Sequence, residues 1–109
     1  MPKTPETKNY VRSLARFLRR SIPARGHVRV RRVNLGKHYG DSVPGMIWLN
    51  ARASVSSQCD TLVHEWAHQL VPVRRVEHTR EFWIAQGKVY QQFLEWLAAY
   101  RIDDPREEE

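Results

Sequence analysis

The apolar positions of this chain fall into three stretches of helical spacing and two short extended ones, ordered helix, strand, strand, helix, helix. In the first stretch, Tyr10, Val11, Leu14, Phe17, Leu18 and Ile22 recur three and four residues apart, which predicts an amphipathic helix with its arginines turned outward. Thr4 and Pro5 read as its N-cap and first helical residue, and the stripe stops at Ile22-Pro23. From His27 to Leu35 the period becomes two. Val28 and Val30 alternate with Arg29 and Arg31, and the phase slips at Arg32-Val33, so the segment predicts a half-buried strand with a bulge. Gly36, Gly40-Asp41 and Pro44-Gly45 punctuate the connection to a second strand, Met46 to Asn50. The two strands are expected to pair as an antiparallel hairpin, with room for a short extra strand around His38-Tyr39.

Ser57 followed by Asp60 has the spacing of a capping box and is expected to open the next helix, which runs about fourteen residues to Val71-Pro72. Leu62, Val63, Trp66, Ala67 and Leu70 give it a broad apolar face, so it belongs to the core. After a basic loop, Val73 to Val76, the last helix is expected to start near His78-Thr79. Phe82, Trp83, Gln86, Val89, Tyr90, Phe93, Leu94 and Leu97 then mark its buried face as far as about Tyr100, with Gly87 marking close helix packing. These elements define an α+β class, three helices with a small antiparallel β-sheet. With 109 residues, 41% of them hydrophobic, there is material for one domain over residues 1–102 and a short acidic tail over 103–109.

The central helix carries His64-Glu65-Trp66-Ala67-His68. Residues four apart on a helix sit about 40° apart around the axis and roughly 6 Å along it, so both imidazoles can reach one ion. Glu65 falls on the neighbouring flank, where its carboxylate can accept a proton from water without being a ligand. A core helix rarely buries two imidazoles and a carboxylate without giving them partners. Catalytic zinc takes three protein ligands and leaves a fourth position open, so one more donor is needed. His78, ten residues past His68 and beyond Pro72, is the preferred candidate. Glu77, Glu81 and Glu95 are the alternatives; Glu95 lies roughly 25 Å along the last helix from His78, so those two cannot both serve.

Thr61-Leu62-Val63-His64-Glu65-Trp66-Ala67-His68, followed by His78-Thr79-Arg80-Glu81-Phe82-Trp83, resembles the SprT-like zinc metallopeptidases and the related small YgjP-type proteins over roughly residues 28 to 95. The resemblance implies a minimal zincin-like domain with Met46 to Asn50 as the strand before the motif helix. It also implies that His64, His68 and His78 bind Zn2+, that Glu65 is catalytic, and that the chain hydrolyses peptide bonds in a protein or peptide substrate. The chain differs in having Thr79 where many SprT-like proteins have glycine. Its single cysteine cannot build the zinc ribbon many of them carry. An extended substrate is expected to add as a strand along the edge of Met46 to Asn50, with Tyr39, His38 or Tyr90 as candidates to assist the oxyanion.

Charge adds a second theme. Residues 1 to 37 carry eleven Lys and Arg against Glu6 alone, whereas residues 38 to 109 carry seven against eleven acids. Arg12, Arg16, Arg19, Arg29 and Arg31 are expected to form one basic surface for nucleic acid, and the alternative function is a nucleic-acid-binding module with a structural zinc or an inactive protease site. Cys59, the only cysteine, excludes an intrachain disulfide and reads as a small buried thiol. The polar first residues and the lack of an eighteen-residue apolar run point to a cytoplasmic protein without a membrane segment.

Overall fold

A computed structural model describes residues 7–71 and 78–102. The elements are α1 (Thr7–Ser21), β1 (Arg29–Val33), β2 (Gly40–Val43), β3 (Met46–Asn50), α2 (Val55–Leu70) and α3 (Arg80–Ile102), an α+β arrangement of three helices and one three-stranded sheet. The expected cap at Thr4-Pro5, the loop 73–76, Glu77 and the acidic tail lie outside the described residues. No helix among the described residues is long and apolar enough to cross a membrane.

The expected β1–β3 hairpin is corrected. The sheet order is β1-β3-β2, with β1 parallel to β3 and β2 antiparallel to it, so the sheet is mixed. The reversal lies between β2 and β3, where Pro44 holds φ negative and Gly45 takes φ 87°, the residue pair of a type II turn. The chain leaves β1, passes through Gly36 at φ 63°, and returns one strand-width away, leaving the slot that β3 fills. Asn50 fastens this crossing, its buried amide donating to the carbonyls of Gly36 (3.1 Å) and His38 (2.8 Å). The extra strand expected around His38-Tyr39 falls just after those residues, as β2, and neither His38 nor Tyr39 is part of it. The bulge at Arg32-Val33 is absent, because β1 keeps register with β3 through five consecutive residues. Hydrophobic alternation shows which face of a strand is buried but not which strand lies beside it.

Side chains at even positions of β2 face α2, and in register with them Ile47 and Leu49 of β3 are fully buried. Arg29 and Arg31, of the opposite parity to half-buried Val30, are exposed. Gly40 marks the closest approach of β2 and α2. A Cβ there would overlap Thr61 Cγ2 and come within 2.9 Å of the Trp48 carbonyl oxygen. The absence of a side chain at Gly40 therefore sets how near Glu65 can lie to the sheet.

α2 contacts α1, α3, β2 and β3 and is the central element. It begins three residues earlier than the Ser57 cap predicts. Ser54 is the N-cap, its Oγ accepting from Ser57 N–H at 3.1 Å, and Val71 closes the other end by donating its N–H to Ala67 O. Leu62, Val63, Trp66 and Ala67 are buried against Val11, Leu14, Ala15 and Leu18 of α1 and Phe82, Val89 and Phe93 of α3. Cys59 is buried, and burial followed by the nearby Asp60 pushes its thiol up to about 11, so it is an inert core residue.

Two expectations for α3 are revised. Its buried face runs through Phe82, Ala85, Val89, Phe93 and Trp96, whereas Trp83, Tyr90 and Leu94 stand about half exposed, roughly 100° round the helix from it. A Cβ added at Gly87 would meet nothing within 4 Å among the described residues, so no close helix packing requires the glycine there. Of the arginines expected to share a basic surface, Arg12, Arg16, Arg29 and Arg31 are exposed. Arg19 is not free to join them. Its Nε and Nη2 donate to the Val28 carbonyl at 3.2 and 2.8 Å, binding α1 to the start of β1.

Candidate metal centre

Helical geometry puts His64 and His68 on one flank of α2, with ring centroids 5.0 Å apart. Thr79 Oγ1 accepts from Phe82 N–H and caps α3, which brings His78, just outside the helix, to 5.0 Å from the His64 ring and 5.2 Å from the His68 ring. Phe82, fully buried, lies beneath all three, stacked on His78 at 4.6 Å. The potential ligand atoms of the three histidines lie within 4.8 Å of one another. Two nitrogens bound to one zinc at about 2.1 Å are separated by at most about 4.2 Å, so small ring rotations bring the three into range. The histidines thus form a cluster able to hold a metal ion, His64 and His68 half-buried and His78 exposed. Glu81 and Glu95 are exposed and outside the cluster, and Glu77 lies outside the described residues.

The protonation states suit this use. Burial, then the neighbouring His64 and His78, pushes His68 down to about 4, so at neutral pH it presents a lone pair. His64 Nδ1 lies 2.9 Å from Gln86 Oε1. An amide oxygen only accepts, so Nδ1 carries the proton and Nε2 is left as the donor atom for an ion. Gln86 was legible only as part of the helix α3 stripe; a polar amide two turns beyond His78 among core residues was the available signal. Gln86→Ala is expected to weaken metal affinity about 10- to 100-fold while leaving the fold intact, measured by competition with a chromogenic chelator. An unchanged affinity would mean that Gln86 does not orient the ring.

Glu65 is buried on the adjacent flank and accepts a hydrogen bond from Ser42 Oγ at Oε1. Its other carboxylate oxygen has no protein partner among the described residues. Asp41 Oδ1 accepts from the Ser42 N–H at 2.8 Å and orients β2 at this point. Gln69 ties the turn to α2, accepting from Gly45 N–H (2.9 Å) and donating to Val43 O (2.8 Å). Nothing local in the sequence links Ser42 to a carboxylate 23 positions away; only the folded hairpin does.

His64, Glu65, His68 and His78 line one cleft of about 720 Å³, walled by the β2–β3 turn and the segment after α1. Tyr39, His38 and Tyr90, the expected oxyanion candidates, do not line it. The strand edge is also reassigned. β3 is paired on both sides, so the free edge at the cleft belongs to β2. No model of a known protein family, no curated protein and no solved structure matches the chain.

Proposed function

We propose that the chain is a zinc-dependent peptidase of the SprT-like kind, with His64, His68 and His78 holding the ion and Glu65 as general base. One observation carries the reading: three imidazoles and a buried, half-satisfied carboxylate open onto one cleft beside a free strand edge. Three imidazoles clustered at an open cleft, with no fourth protein donor in the cluster among the described residues, suit Zn2+ in a catalytic rather than a structural role. When bound there, the ion supplies Lewis acidity toward water and a substrate carbonyl.

The chain's own groups supply the remaining steps. Ser42 holds Oε1 of Glu65, leaving the other oxygen to accept a proton from water as it attacks the peptide carbonyl. The same oxygen then returns that proton to the leaving amine. Asn50 N–H donates to Tyr39 O, so in the antiparallel ladder the hydrogen-bonding groups of Gly40 and Ser42 point away from β3. The Ser42 N–H is taken by Asp41, which leaves Gly40 N–H and the Gly40 and Ser42 carbonyls to align an extended peptide.

The test is metal content and chelation together. Purified chain is expected to hold about one equivalent of zinc and to cleave an unfolded protein until the metal is stripped, and His78→Ala is expected to lose both. Hydrolysis that survives complete removal of metal would refute the reading, as would full loading without cleavage of any peptide.

A further inference from the structure

The segment joining α1 to β1 is pinned at both ends. At the first, Trp66 Nε1 donates to Ile22 O at 2.9 Å; at the second, the Arg19 guanidinium donates twice to Val28 O. Residues Ala24, Arg25, Gly26 and His27 between these anchors line the cleft that contains His64, Glu65 and His68. Arg25 is exposed, and its guanidinium has no partner among the described residues.

The acids among the described residues lining the cleft are Glu65 and Asp41, and both are engaged by Ser42. Arg25 thus places a permanent cation on the cleft rim that is paired with neither of them. Guanidinium groups pair with carboxylates as a planar fork, which gives direction as well as attraction. On the proposed peptidase reading, we infer that Arg25 selects peptides that present a carboxylate within a few residues of the bond cleaved. That carboxylate belongs either to an Asp or Glu side chain or to the substrate's own C-terminus. The backbone groups along β2 favour a peptide over a polynucleotide, because an extended peptide can pair with them and a sugar-phosphate chain cannot continue the ladder.

The experiment uses the zinc-loaded full chain and matched peptides: a neutral amidated parent, its Gln→Glu scan, and the parent with a free C-terminus. At least one carboxylate peptide is expected to be cleaved with kcat/KM about fivefold to tenfold above its neutral match. Arg25→Ala is expected to bring that ratio to about one, Arg25→Glu to invert it, and Arg25→Lys to restore part of it. Comparing the Glu scan with the free C-terminus identifies which carboxylate is read. Binding of the same peptides to the metal-loaded Glu65→Gln protein, by fluorescence anisotropy, gives the ratio without catalysis. If nothing is cleaved yet the binding preference depends on Arg25, the peptidase reading fails and the selectivity stands. A ratio near one in the wild type, or one unmoved by Arg25→Ala, overturns the inference. So would a single-stranded oligonucleotide that displaces the acidic peptide through Arg25 more tightly than any carboxylate peptide does.

Discussion

Glu65→Gln is expected to retain zinc and to lose about 10²- to 10⁴-fold in kcat/KM, the range ascribed to a positioned general base. The substitution keeps the shape of the side chain, and the Ser42 hydroxyl can still donate to the amide oxygen in place of Oε1. What disappears is basicity, since an amide does not accept a proton from water near neutral pH. His64, His68 and His78 are untouched, so metal content serves as the internal control. Zinc loading equal to wild type together with a thousandfold slower cleavage would isolate the proton transfer. Cleavage at the wild-type rate would remove Glu65 from the chemistry and leave the carboxylate a buried structural group.

The largest loss of stability is expected from Trp66→Ala, about 3–5 kcal/mol by urea denaturation. Trp66 is 1% exposed and sits at the meeting of α1, α2 and the segment that borders the cleft. Its removal leaves a cavity that the surrounding helices can only partly close, and it strips the Ile22 carbonyl of its indole donor. Trp66→Phe separates the two effects. It keeps most of the apolar volume but not the N–H, and its cost is expected to be about 1–2 kcal/mol. A loss below 1 kcal/mol for Trp66→Ala would contradict the packing described for α2. Because Trp66 adjoins Glu65 and pins the Arg25 segment, the alanine variant is also expected to blur selectivity between acidic and neutral peptides before it abolishes cleavage.

The helices were legible because amphipathic periodicity is a local property, repeated over several turns of each element. Phe82, Val89 and Phe93 could be assigned to the core of α3 from spacing, but its stripe was drawn too wide, and Trp83, Tyr90 and Leu94 proved to flank the buried face. The cap of α2 was misplaced for a related reason: Ser54 and Ser57 both have cap chemistry, and the choice depends on backbone geometry that places Ser54 in an extended conformation. The sheet was the least legible part. Alternation in Arg29–Val33 and the run Met46–Asn50 each specified a strand, yet pairing is a contact between distant residues.

The sequence by itself determined the two imidazoles and the carboxylate on α2, because a spacing of four on a helix places side chains on one flank whatever the rest of the chain does. It also named His78 as the preferred third donor, though it could not exclude the nearby glutamates. Only the tertiary structure brought His78 within reach of His64 and His68, set Gln86 behind the first ring, and laid Ser42 against Glu65. Those meetings depend on β3 entering between β1 and β2, on the close approach allowed at Gly40, and on α3 packing across α2. Each is a long-range contact selected by burial of apolar surface, which fixes where elements meet but leaves no periodic trace along the chain.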